Sequence, residues 1–554
     1  MSEERDTAPS GAAAPPGAAP EIALPERVDV FDTTLRDGSQ FEGISLSVDD
    51  KLRIAEQLDY LGVAWIEGGF PQANPKDAEF FRRAAAGELK LDTSRLVAFG
   101  STRKPGGVTD SDATLTTLLD AGTETLCIVG KGSAWQVRKT LNTTLDEGRA
   151  MTSDSVRYLK AAGRRVFFDV EHCFDGYKED PDFTLSVIEA AALAGADCVV
   201  LCDTKGGSLP HEVQAITAEI AHRFDGLQLG IHTQDDTGCA VANAVAAVLS
   251  GATQVQGTIN GYGERTGNAD LITVIPNLTL KLGVGTLPEG RLERLGPVSR
   301  HVAELVNLPL DPAAPYVGTS AFAHKGGLHT SALRRAGTAA YEHVDPALVG
   351  NHSRVLVSDL GGRTGMSMKA EELGVDLDAG EAATLNDTLK GLEADGWVFE
   401  AADASLELLM ASAAGWEQPY FRTEAYRVSG YHRADPNQPG QGAHLSTEAT
   451  VKVWVGDERI AAVGEGNGPV NALDAALRTA LGRHYPHLER IHLTDFKVRV
   501  LDGGAATGAV TRVLIDSTDG HDTWTTIGVS PNVIEASWMA LIDSLVFGLK
   551  RADG

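Results

Sequence analysis

Between residues 28 and 284, short β-branched runs alternate with amphipathic stretches through eight cycles. The runs are Val28–Thr34, Ala64–Phe70, Arg95–Thr102, Thr125–Gly130, Arg164–Cys173, Cys198–Thr204, Leu227–Gln234 and Thr253–Gly261. The stretches between them are long enough to cross back over a sheet. In Val48–Leu61, for example, Leu52, Ile54, Ala55, Leu58 and Leu61 recur at helical spacing. Strand, helix, strand implies parallel pairing. Eight such units fit a closed (β/α)8 TIM barrel better than an open doubly wound sheet, whose first turn is rich in glycine. Here that turn reads Asp32-Thr-Thr-Leu-Arg-Asp37.

In such a barrel, chemistry gathers where the carboxyl ends of the strands converge. Those ends carry Asp32, Glu67, Ser101, Thr102, Lys131, Glu171, His172, Asp203, Thr204, His232, Gln234 and Asn260. Helix capping accounts for about half of them, since Asp, Ser and Thr are also good N-caps. The remainder mark one polar mouth.

The chain has 554 residues and a net charge of −28, so a polyphosphate backbone would be repelled and nucleic acid is excluded as a partner. No apolar run approaches a membrane span, and the Ala/Pro/Gly-rich start lacks a signal-peptide core, so a cytoplasmic protein is expected. The five cysteines are sparse and lie mostly in apolar runs, which reads as buried free thiols.

The expected organisation is a disordered leader over 1–25, the barrel over 26–290, helical linker subdomains over 291–420, and an α+β regulatory domain over 421–554. In that last part, Asn471-Ala-Leu-Asp-Ala-Ala-Leu recurs 61 positions later as Asn532-Val-Ile-Glu-Ala-Ser-Trp. Each copy follows β-like runs: Ala449–Val455 and Arg459–Gly464, then Phe496–Val500, Thr511–Ile515 and Thr523–Val529. A duplicated β-rich unit closed by a helix suits effector binding or dimerisation, and a homodimer is expected.

His232 and Gln234 lie two apart on the seventh strand and so face the same way. Barrel closure brings them near Asp32 and the turn that ends at Asn268. A carboxylate, an imidazole and amide oxygens suit Mg²⁺ or Mn²⁺, with Zn²⁺ less favoured. Equally, a lone strand-end His is often only hydrogen-bonded, and Asp32 could simply anchor its turn. Arg36, with Asp37 beside it, offers a planar cation that can hold an α-keto carboxylate. The bland reading of Arg36 is a surface pair with Asp37 or Glu42.

Several segments go further. Phe31-Asp-Thr-Thr-Leu-Arg-Asp-Gly38, Ile66-Glu-Gly-Gly-Phe-Pro71, Phe168-Asp-Val-Glu-His172, Gln256-Gly-Thr-Ile-Asn-Gly-Tyr-Gly-Glu-Arg265 and Ala321-Phe-Ala-His-Lys-Gly-Gly-Leu-His329 resemble the metal-dependent acyltransferase and lyase barrels. These are typified by 2-isopropylmalate, homocitrate and citramalate synthases, and the long citramalate branch is the most similar, over about residues 28–550. The resemblance implies a Claisen condensation of acetyl-CoA with pyruvate and water, giving (R)-citramalate and CoA on a route to isoleucine. It places Asp32, His232, Gln234 and Asn268 at the metal, and Arg36, Asp37, Glu171 and Thr204 at the substrate. His329 with Tyr341 falls where the group that deprotonates the acetyl methyl or activates water is found.

Gln234 stands where the family usually has a second histidine, which shifts the expected ion toward Mg²⁺ or Mn²⁺. Isoleucine bound between the two repeats is the expected effector. Two alternatives stand beside this reading: a 2-isopropylmalate synthase or other α-keto acid acyltransferase, and a non-catalytic amino-acid-responsive binding protein.

Overall fold

Residues 24–356, 363–433, 444–501 and 508–553 are described by the structure, a computed structural model. The leader expected over 1–25 lies outside them but for its last two residues. The described chain divides into two compact units, Met1–Phe322 with Val344–His352, and Ala323–His343 with Ser353–Gly554.

All eight expected strands form in the first unit. They are β1 (Asp29–Asp32), β2 (Trp65–Gly69), β3 (Arg95–Ser101), β4 (Thr125–Lys131), β5 (Arg165–Glu171), β6 (Cys198–Asp203), β7 (Leu229–Thr233) and β8 (Gln254–Gly257). They pair in chain order as a closed parallel barrel, and β8 returns to β1 with Phe31 opposite Gln256 and Asp32 opposite Gly257. Phe31, Trp65, Val97, Phe99, Cys127, Phe167, Cys198, Val200 and Cys202 fill the inside. Alternate residues face outward and pack under the helices, each buried Leu, Ile or Phe contributing roughly 1.5–3 kcal/mol. No disulfide forms among the described cysteines, and four of the five are buried.

Helix α1 (Val48–Leu61) shows how local sequence sets the crossovers. Ser47 caps its start in a reciprocal box with Asp50, and Gly62 ends it at φ 95°, a conformation that costs glycine nothing. Leu52, Ile54, Ala55, Leu58 and Leu61 are its buried apolar residues. Helix α2 (Pro75–Ala85) places Asp77 against Lys51 of α1, and both side chains are buried. Lys51 also donates to the Gly68 carbonyl at 3.2 Å, and the second Asp77 oxygen accepts from the Phe70 amide at 2.8 Å. The chain passes this carboxylate at Gly69, where φ is 142° and a Cβ would lie 2.4 Å from it.

The second unit begins with β9 (Ala323–His324), paired in parallel with β10 (Arg354–Val355). Helices follow around Met366, Leu385, Leu389, Phe399, Leu406 and Met410. The expected duplication is present. β11 (Arg422–Arg433), β12 (His444–Val455) and β13 (Glu458–Gly466) form one antiparallel sheet, and β14 (His492–Val500), β15 (Thr511–Thr518) and β16 (Thr523–Ser530) form the other. A helix closes each, Pro469–Leu481 and Val533–Asp553. β11 was not among the expected runs.

The helices, which start at Pro469 and Val533, correspond at a spacing of 64 positions and not the expected 61, and they rest directly on the sheets at glycines with that same spacing. A Cβ on Gly464 would fall 2.3 Å from the Ala476 nitrogen, and one on Gly528 2.0 Å from the Ala536 oxygen. Among the described residues no helix is long and apolar enough to cross a membrane.

Within the helix Val533–Asp553, burial pushes the Asp543 carboxyl up to about 6, against the opposing hydrogen bond from Ser405. The folded chain therefore holds this proton between about pH 4 and 6 while the unfolded chain releases it, so stability falls as pH rises through that window. Asp543→Asn is expected to raise the thermal unfolding temperature at pH 8 and to leave it unchanged at pH 4. An equal rise at both pH values would contradict this assignment.

Candidate active site

The turn after β1 folds back on itself, with the Arg36 and Gly38 amides both donating to the Thr33 carbonyl at 3.0 Å. That turn carries Arg36 into the barrel mouth. Its Nε donates to Glu67 Oε2 at 2.6 Å, its guanidinium carbon stands 4.0 Å over the Phe99 ring, and Nη1 is 3.7 Å from Asp37. Burial disfavours the charged guanidinium, but the charges of Glu67 and Asp37 outweigh it and raise the group above its ordinary value. Burial also pushes the Glu67 carboxyl up to about 7, against the pull of Arg36 and with the help of Asp169. Arg36 is thus a partly buried cation held between Glu67 and Asp37, not a surface partner of Glu42.

Beside it, Asp37 Oδ2 lies 3.2 Å from His232 Nε2 and accepts from Gln234 Nε2 at 3.2 Å. Asn268 joins through an isolated bridge to Gln234, and its Nδ2 donates to the Tyr262 carbonyl at 3.2 Å. Burial would raise the Asp37 carboxyl, but Arg36 and the hydrogen bonds from His232 and Asn268 hold it well below the usual range. The same partnership lifts His232 above its ordinary value despite burial. The side-chain oxygens of Gln234 and Asn268 are buried and have no hydrogen-bond partner. Unpartnered acceptors of this kind cost free energy unless a donor or cation meets them, so this donor set fits a hard divalent ion. Among the described residues no three or more His, Cys, Asp or Glu gather as a metal-binding group. The set here is one carboxylate, one imidazole and two amides.

The carboxylate in this cluster belongs to Asp37, not to Asp32. Phe31 points into the barrel, so its neighbour Asp32 faces the other way. Both Asp32 oxygens accept from Thr34, one from the amide and one from the hydroxyl, each at 2.9 Å. Burial raises this carboxyl to about 7. Asp32 anchors its turn.

A relay missed in the sequence reading fixes the imidazole. His232 Nδ1 is 2.9 Å from Gln256 Oε1, and Gln256 Nε2 donates to Asp169 at 3.2 Å. An amide oxygen can only accept, so Nδ1 carries the hydrogen and Nε2 is the atom turned to Asp37. Glu67, Asp169 and Gln256 share one detectable signal: each is a polar residue at an inward position, next to buried apolar neighbours on its strand.

Glu171 and Thr204 stand at the ends of adjacent strands. Glu171 pairs with Lys131, and Thr204 Oγ1 accepts from the His172 amide at 2.8 Å. Lys205 is exposed and pairs with Asp175 at 3.0 Å. His329 and Tyr341 belong to the second unit, where their rings stack with centroids 4.0 Å apart. Near them, buried His324 bonds Glu342 at 3.0 Å.

Comparison with known proteins agrees with this architecture. The HMGL-like family model matches residues 27–295, the homocitrate synthase post-HMGL domain-like model 316–396, and the LeuA allosteric (dimerisation) domain model 400–548. The (R)-citramalate synthase of Streptomyces coelicolor is 51% identical over 96% of this chain and 98% of its own. That of Aquifex aeolicus is 49% identical over 95% and 99%. The chain belongs to the (R)-citramalate synthase family. A probable 2-isopropylmalate synthase of Methanopyrus kandleri is more distant, at 32% identity over 94% of this chain and 98% of its own. Against the citramalate synthase family, the HMGL-like match spans the barrel and the LeuA match spans both three-stranded sheets.

Proposed function

We propose that this chain is an (R)-citramalate synthase, which joins the acetyl group of acetyl-CoA to the keto carbon of pyruvate and, with water, releases CoA. The observation that carries this reading is 43–51% identity over nearly full length to (R)-citramalate synthases, against 29–32% to the 2-isopropylmalate synthases.

In this reading Arg36 receives the pyruvate carboxylate on its Nη edge, because Nε is already bonded to Glu67. Glu171 and Thr204 line the substrate space. Asp37, His232, Gln234 and Asn268 would hold a Mg²⁺ or Mn²⁺ ion, with Asp37 in the place expected for Asp32. Such an ion supplies Lewis-acid polarisation of the keto oxygen. The acetyl methyl is a very weak acid, so a positioned base has to act together with stabilisation of the developing enolate charge. His329, stacked on Tyr341, is the candidate base, since a neutral imidazole has a ring nitrogen that can accept a proton. Cytoplasmic location and a homodimer belong to the same proposal, the latter supported by the match to a dimerisation domain.

Regulation by isoleucine is supported by a cavity of about 710 Å³ between the two repeats. One side is the start of the helix Pro469–Leu481 and the other is β14. Val470, Leu493 and Phe496 offer an apolar wall. Asp474 accepts from Arg478 at 2.8 Å through one oxygen, while the other is buried without a partner and is suited to an ammonium group.

Three measurements test these readings. CoA release from acetyl-CoA should be selective for pyruvate over 2-oxoisovalerate and should stop with chelator. Comparable rates with both acids would favour an isopropylmalate synthase, and no turnover with any acid a binding protein. Asp37→Asn should weaken Mn²⁺ binding, read by calorimetry, by more than about a hundredfold, whereas Asp32→Asn should shift it by less than about threefold. The reverse order would return the ligand role to Asp32. Finally, Asp474→Ala should raise the isoleucine concentration for half-inhibition by about tenfold or more without changing the uninhibited rate. Unchanged inhibition would exclude this cavity.

A further inference from the structure

The Nε bond to Glu67 fixes one corner of the Arg36 guanidinium, and Asp37, 3.7 Å from Nη1, adds attraction but no hydrogen bond that would fix the plane. The plane is set by something else. Phe99, on the inner face of β3 and only 8% exposed, lies with its ring 4.0 Å from the guanidinium carbon. Phe70 meets Phe99 edge to face, with centroids 5.6 Å apart and planes at 86°. Phe70 is itself pinned, because its amide donates to Asp77 at 2.8 Å and Asp77 is held by the buried Lys51. Gly69, in its positive-φ conformation, lets the chain reach that carboxylate.

We propose that Phe99 is a positioning residue for the keto-acid carboxylate, holding the Arg36 guanidinium flat so that its Nη edge faces the substrate, with Phe70 and the Lys51–Asp77 pair as its support. This rests on the reading that Arg36 receives that carboxylate. An aromatic face attracts a desolvated cation through its quadrupole, which a merely apolar side chain of similar volume does not do. The role therefore depends on aromaticity, and a role in packing alone depends on volume.

Steady-state kinetics of the full-length enzyme, with pyruvate and acetyl-CoA varied separately, separates the two. Phe99→Leu should raise the pyruvate KM by about tenfold and leave the acetyl-CoA KM within about twofold, while Phe99→Tyr should keep both within about twofold of the parent. Phe70→Leu should raise the pyruvate KM in the same direction by less, and it decides the matter if circular dichroism shows Phe99→Leu to be unfolded. Equal behaviour of the Leu and Tyr variants at Phe99, or a parallel rise in both KM values, would overturn the proposal. Arg36→Lys keeps failures distinguishable. If it leaves the pyruvate KM unchanged, the reading of Arg36 falls and this inference with it. If it raises that KM steeply while Phe99→Leu and Phe70→Leu do not, only the positioning role falls.

Discussion

Pairing of β8 with β1 is the constraint on which the rest depends. Once Phe31 lies opposite Gln256, the barrel is closed and the eight strand ends share one rim. The same register sets Gln256 beneath His232 and delivers the turn after β1 to the same corner, so that Asp37 meets Gln234, 197 positions away in the chain. A slip of one residue would exchange the inward and outward faces of β1 and send Phe31 out of the barrel interior.

That corner concentrates buried charge at a density a folded protein tolerates only when each group answers another. Glu67 and Asp37 share the Arg36 guanidinium, and Asp37 also draws on His232. Asp169 is removed from direct pairing and communicates through an amide. In a low-dielectric interior such groups strengthen one another when satisfied and are costly when they are not. Within this corner the oxygens left over, on Gln234, Asn268 and one side of Glu67, mark where hydrogen bonding among the described residues is incomplete.

Much of this was legible beforehand. The strand and helix periods specified the barrel, and the rim residues Glu171, Thr204, His232 and Gln234 follow from where strands end, whereas Arg36 and Asn268 lie in the turns beyond β1 and β8 and were placed by the family resemblance. Asp32 and Asp37 could not be told apart by spacing alone, because the choice depends on strand parity and on the tight turn through Thr33. Glu67 was placed at the rim but not paired with Arg36, and the Asp169 contribution was obscured by its setting among Phe168 and Val170. β11 escaped notice for a different reason: as an edge strand it has little to bury, and between Arg422 and Gly430 it is mostly exposed, with Tyr426, Val428 and Ser429 half-buried. The segments 357–362, 434–443 and 502–507 lie outside the described residues.

The paired glycines of the duplicated region have a further consequence. At Gly464 and Gly528 the sheet and its covering helix are separated by no more than backbone, so even a methyl group at either place would require the layers to part. Each repeat therefore has a point about which its helix can neither retreat nor be padded. Drift elsewhere in the two copies can erase their likeness in letters while this shared omission keeps them alike in shape.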